Sequence, residues 1–172
     1  MEKKVLVAYA TKYGATAEIA ERIGQTLRQA GLPTAVQPAD RVKDLAPYRA
    51  VVLGSAVYMF HWRKQAVKFL KANEKALSER PVWLFSSGPT SGGDPEAFLE
   101  GVKLPKSVQP IADRIRPRDV AIFYGVLDPK RMNPFEKWII GRIKAPLGDF
   151  RNWDSVNAWA AAISDALLRE TP

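Results

Sequence analysis

Apolar and polar positions follow two rhythms along this chain, and the rhythms take turns. Val5 to Tyr9 is an unbroken apolar run ending in turn-forming residues, the pattern of a strand buried on both faces. Ile19, Ile23, Leu27 and Ala30 then recur at helical spacing. Glu18 and Glu21 sit in the first turns, where acids suit the helix dipole, and Gly31 supplies a stop. Thr34 to Gln37 reads as a short strand, a polar connector follows, and AVVLGSA from Ala50 reads as another buried strand. The spacing predicts a helix from about Lys64 to Leu77, with Ala66, Phe69, Leu70 and Leu77 roughly on one face. Pro81 introduces the strand VWLFSS, which runs into the loop SSGPTSGGD. Val108, Ile111, Ala112 and Ile115 share one helical stripe, with Pro110 in the first turns. The strand DVAIFYGVL comes next, and a last helix carries Val156, Trp159, Ala160, Ile163 and Leu167 on one face behind Asn152 as N-cap.

Five buried-type strands separated by helical segments imply an α/β fold. Parallel strands need crossovers, and right-handed crossovers cover both faces of the sheet with helices, giving a doubly wound architecture. Such sheets bind ligands beyond the carboxyl ends of their strands. Three loops lie there: ATKYGAT at 10–16, GSAVYMFHW at 54–62 and SSGPTSGGD at 86–94.

The first loop offers the hydroxyls of Thr11 and Thr16, a close backbone approach at Gly14, and the amides from Lys12 to Thr16 at a helix start. A phosphate monoester wants such a donor set in a small space; a plain turn or N-cap uses the same residue types. The loop lacks the GK[ST] ending of a Walker loop and is not GxGxxG, so a mononucleotide fits better than an NTP or a dinucleotide. The second loop crowds Tyr58, Phe60, His61 and Trp62 into a connector, which suits either a planar ring or packing under the loop. The glycines of the third offer amides to the polar edge of such a ring, or form a surface loop.

Composition narrows this chemistry. The chain has 172 residues and no cysteine, which excludes disulfides, thiolate metal sites and a redox dithiol, so redox activity requires a bound cofactor. The apolar part of the N-terminus is too short for a signal peptide and no segment is long enough to span a membrane, so a cytoplasmic location is expected. A formal charge of +8 favours anionic partners, but the basic residues form no block and no nucleic-acid motif, and no nucleic-acid partner is expected. Residues 134–145, PFEKWIIGRIKA, interleave Phe135, Trp138, Ile139, Ile140 and Ile143 with Lys137, Arg142 and Lys144. That pattern suits a helix lying at a membrane surface or over an amphipathic substrate, or an ordinary helix covering the sheet.

With a hydroxyl-rich loop after the first strand and two further loops after the third and fourth, the chain resembles the flavodoxin family. ATKYGAT is similar to that family's Thr/Ser-x-x-Gly-x-Thr phosphate loop, and the spacing fits a flavodoxin-like five-stranded sheet of order 2-1-3-4-5 within one domain, residues 1–172, with an insertion at about 128–150. The resemblance implies FMN as cofactor. Thr11, Lys12, Tyr13, Gly14, Ala15 and Thr16 would hold its phosphate, while the backbone of Ser55, Ala56, Val57 and Tyr58 and of Ser86, Ser87 and Gly88 would flank its ring, with Tyr58 or Trp62 stacking.

The tail, DVAIFYGVLDPKRMNPFEKWIIGRIK and then GDFRNWDSVNAWAAAI, is similar to the branch that includes the menaquinone-dependent protoporphyrinogen oxidases. That resemblance implies an FMN enzyme oxidising a porphyrinogen and reducing a quinone, in peripheral membrane contact through 134–145. The basic rim of Lys130, Arg131, Lys137, Arg142 and Lys144 would suit the propionates of a porphyrinogen. A redox protein as partner, with the chain an electron carrier, is the alternative. No metal site is expected, and His61, the only histidine, is the one side chain suited to assist proton transfer.

Overall fold

A computed structural model describes residues 3–88, 103–143 and 147–170. Strands β1 (Lys4–Ala10), β2 (Thr34–Pro38), β3 (Tyr48–Tyr58), β5 (Val82–Ser87) and β6 (Asp119–Phe123) pair in parallel in the order β2-β1-β3-β5-β6. The two-residue β4 (His61–Trp62) folds back antiparallel on the end of β3. Counting the parallel strands alone, the order is the expected 2-1-3-4-5; the extra hairpin strand is a detail the hydrophobic pattern does not carry.

The three central strands alternate between two cores. Leu6, Val51, Leu53 and Leu84 point to one face, where α2 (Lys64–Ala72), α3 (Glu74–Ser78) and α4 (Gln109–Ile115) lie. Val5, Val7, Val52, Trp83 and Phe85 point to the other, against α1 (Ala15–Gln29) and α6 (Trp153–Arg169). A side-chain period of two with both faces covered requires apolar residues at every position, which is why these strands read as unbroken runs. Ile19, Ile23 and Leu27 of α1 and Val156, Ala160, Ile163 and Leu167 of α6 are buried, as their spacing predicts. The Asn152 side chain caps α6 by accepting from the amide of Ser155 at 3.1 Å.

Two expectations change. The helix expected over Lys64 to Leu77 divides at Asn73, whose φ of −117° and ψ of 16° leave the helical region. Its side-chain amide and its backbone amide both donate to the carbonyl of Phe69, at 2.9 and 3.1 Å, so the side chain folds back on the turn that ends there. The strand expected over 119–127 ends at Phe123. Gly125 follows, then β7 (Val126–Leu127) pairs antiparallel with β8 (Gly148–Asp149), and α5 (Pro134–Ile143) lies between them. The loop expected at 86–94 is described only as far as Gly88, and Lys144 also lies outside the described residues.

Candidate functional site

Register brings the three loops together. Ala10 pairs with Ser55 and Ser55 with Ser86, so the chain leaves β1, β3 and β5 along one row of the sheet edge. β1 is followed by β2 on one side while β3 and β5 continue on the other, so the row includes the topological switch point. The backbones meet closely: a Cβ at Gly88 would touch the Val57 carbonyl oxygen at 3.0 Å, and one at Gly125 would touch Gly88 Cα at 3.1 Å.

The first loop presents a hydroxyl and an uncapped helix start at the sheet edge. Gly14 has a φ of 94°, a left-handed conformation glycine adopts without steric cost, and its amide donates to the Thr11 hydroxyl at 2.9 Å. No side chain caps α1, so the amides of Ala15, Thr16 and Ala17 open the helix without intrahelical acceptors. Thr16 is buried, and the Tyr13 hydroxyl is buried without a partner. An uncapped helix start behind a hydroxyl-bearing loop is the donor set a phosphate needs.

Residues beyond β6, absent from the sequence-level site, grip this loop. Glu136 of α5 is 8% exposed and holds Lys12 at 2.6 Å, with its second oxygen buried and unpartnered. The Lys12 ammonium also lies 3.4 Å from the centroid of the Tyr58 ring, so one cation joins the first loop, the second loop and α5. Arg131 donates to the Tyr13 carbonyl at 3.3 Å and pairs with Glu18; Arg151 pairs with Glu18 at 2.7 Å and with Asp149 at 2.6 Å. Arg22 and Arg151 lie 4.6 and 4.7 Å from the centroid of the Trp153 ring. The one sequence signal for this clamp was acidic residues in the first turn of α1 and basic ones far downstream. Their pairing depends on the β7–β8 ribbon.

Hydrogen bonding from Arg151 holds the carboxyls of Glu18 and Asp149 below their ordinary values of 4.5 and 3.8. A depressed folded value means the pairing stabilises the protein above the ordinary value and is lost as pH falls below it. Arg151→Met is therefore expected to cost about 1.5 kcal/mol near neutral pH, because the side chain is buried while its partners stay half-exposed and can rehydrate. The gap between wild type and variant should narrow as pH drops below about 4.5, where the Glu18 share begins to go, and further below about 3.8, where the Asp149 share follows; urea melts at pH 7 and at about pH 2.5 test this, and a gap independent of pH would refute the ion-pair origin.

Around the second loop, Ser55 is buried, donating to the Ala56 carbonyl and accepting from the Arg63 amide, both at 2.9 Å. Ala56 and Val57 are half-buried and Tyr58 is exposed. Trp62 turns inward, with its indole N–H donating to Ser86 at 2.8 Å in the core, which leaves Tyr58 as the accessible ring of the two expected to stack. His61 is exposed opposite Tyr58. Met59 and Phe60 form the two-residue hairpin turn with φ of 51° and 65°. Both bulky residues occupy the left-handed region such turns require, at a cost of order 1 kcal/mol each. Ser87 is buried, and the Gly88 amide donates to the Phe123 carbonyl. No metal-binding cluster occurs among the described residues, and no helix among them is long and apolar enough to cross a membrane.

The fold and site together define a doubly wound α/β protein with a glycine- and hydroxyl-bearing loop and an uncapped helix start at its switch point. A sequence profile of the Flavodoxin domain family matches residues 6–154, and the chain belongs to that family. Flavodoxin 2 from Bacillus cereus superposes with a TM-score of 0.62 at 18% identity, covering 95% of this chain and 99% of the other. A flavodoxin from the domain Archaea gives 0.60 at 15% identity, covering 95% and 98%. The rubredoxin:oxygen oxidoreductase of Desulfovibrio gigas gives 0.63 at 12% identity over 96% of this chain, which spans about a third of that protein's length (36%). At these identities the structures attest the fold. No curated protein matches the sequence. FMN is the cofactor of this family, the uncapped, hydroxyl-bearing loop at 11–16 fits its phosphate, and redox chemistry or electron transfer follows from it.

Proposed function

We propose that this chain is an FMN-dependent oxidoreductase that oxidises protoporphyrinogen IX at a membrane surface and passes the electrons to a quinone. The observation that carries this reading is α5. It turns the stacked, exposed rings of Phe135 and Trp138 outward, with Arg142 5.2 Å from the Trp138 ring centroid, while Glu136 ties it to Lys12 in the phosphate loop. An apolar and basic face beside the cofactor loop suits a substrate with an apolar macrocycle and carboxylate arms, for which Lys130, Lys137 and Arg142 provide charge, Arg131 of the expected rim being engaged by Glu18 and the Tyr13 carbonyl.

In this reading the amides and hydroxyls of residues 11–16 hold the FMN phosphate. The backbones of Ser55 to Tyr58 and of Ser86 to Gly88 flank its ring, and Tyr58 stacks on it. FMN, when bound, supplies reversible electron acceptance. Hydrogen leaves the porphyrinogen carbons and nitrogens as electrons and protons; the electrons reduce quinone to quinol, which takes up an equal number of protons. His61, exposed at the hairpin, assists proton release to solvent. The full-length superposition on two flavodoxins favours a second reading, an electron carrier serving a redox protein.

Purified holoprotein mixed with protoporphyrinogen and a short-chain menaquinone separates the two. The first reading expects porphyrin fluorescence to rise in step with quinol. Reduction by a flavodoxin reductase without substrate oxidation would replace it with the second.

A further inference from the structure

We infer that the hairpin of β3 and β4, together with the groove along α2, forms a second anchor that docks the protein on anionic phospholipid. The inference rests on the membrane-surface reading above and adds both the lipid class and a site remote from α5 in sequence. At the turn, Met59 and Phe60 are 72% and 62% exposed. Beside them runs a groove of about 1140 Å³ whose lining includes His61, Arg63, Lys64, Lys68 and Lys71 and no carboxylate. Lys64, Lys68 and Lys71 repeat at helical spacing and are exposed, so they form one basic stripe along α2.

Bulky apolar side chains at a protruding turn flanked by cations match the interfacial region of a bilayer, where apolar groups enter the acyl boundary and lysines meet headgroup phosphates. The Phe135–Trp138 pair repeats the arrangement on α5, with Lys137 and Arg142 exposed on the same helix. Lys12 touches both Tyr58 and Glu136, so the two protrusions adjoin at one edge of the sheet. An acidic protein surface would use the lysines but would have no acyl layer to receive Met59 and Phe60, and a second copy of this +8 chain would meet repulsion. The lipid surface satisfies both features.

Co-sedimentation of the FMN-loaded protein with phosphatidylcholine vesicles, with and without phosphatidylglycerol, tests this. Binding is expected only with the anionic lipid and should weaken as salt rises. Lys64→Gln with Lys68→Gln should lower the partition coefficient about tenfold or more, and Met59→Ser with Phe60→Ser should also lower it. Thermal melts of both variants, and the FMN content of the lysine variant, should stay at wild-type values, which separates lost docking from lost folding. Equal binding to both vesicle types, no binding, or loss of binding only on replacing Trp138 would overturn the α2 anchor. Porphyrinogen turnover is scored separately, so absent vesicle binding with intact turnover refutes this inference alone, and intact binding without turnover refutes the substrate assignment alone.

Discussion

Gly54→Ala is expected to lower the unfolding free energy by about 3 kcal/mol, the upper end of overpacking costs, and to drop the melting temperature by roughly 10 °C. Gly54 pairs in register with Phe85 on the neighbouring strand, and a methyl group built on it would lie inside the van der Waals envelope of three Phe85 ring carbons. That ring cannot move freely. Phe85, Phe123 and Trp159 form a closed aromatic trio with centroids 5.6 to 5.9 Å apart, and Trp159 is tethered by its indole N–H to Asp119 at 2.8 Å. Making room for one methyl therefore disturbs β5, β6 and α6 together. Adding Phe85→Leu should recover part of the loss, giving a coupling between the two sites that a thermodynamic cycle measures. A shift in melting temperature below about 2 °C would mean that the ring is not seated against Gly54.

Thr16→Val should weaken FMN binding about fiftyfold while leaving the melting temperature of the apoprotein nearly unchanged. The substitution keeps the side-chain volume but removes the hydroxyl, and a hydrogen bond to a charged group contributes about 1.5–3 kcal/mol. Thr16 stands in the first turn of α1, beside the uncapped amides. Titration of the apoprotein with FMN, followed by flavin fluorescence quenching, gives the dissociation constant. Unchanged affinity would remove residues 11–16 from the cofactor site, and with them the enzyme reading.

The strands and the main helices were legible because their burial is set by local periodicity. Val5 to Tyr9 or Ile23 and Leu27 face the same kind of neighbour whatever the tertiary details. The division at Asn73 was not legible, because a change of φ and ψ at one residue leaves the helical stripe of apolar positions on either side unaltered. Nor was the end of β6 at Phe123, because the apolar letters continue into a strand that pairs with Gly148 and Asp149 some twenty residues later. Trp62 shows the same limit within the site: an aromatic in a ligand-edge loop reads identically whether it faces a cofactor or, as here, donates to Ser86 inside the core.

Local order along the chain was enough to specify the alternation of strand and helix, the glycine- and hydroxyl-bearing turn at 10–16, the absence of thiol chemistry and the positive charge, since each depends on residues adjacent in sequence or on a simple count. The tertiary structure alone decided how the segment beyond β6 is used. Glu136 on Lys12, Arg131 at Tyr13, and Arg151 between Glu18 and Asp149 fasten that segment over the start of α1. Apart from Asp149, which is a near neighbour of Arg151, these partners lie more than a hundred residues apart in the chain, and an ion pair leaves no mark in sequence until the fold brings its two charges within a few ångströms.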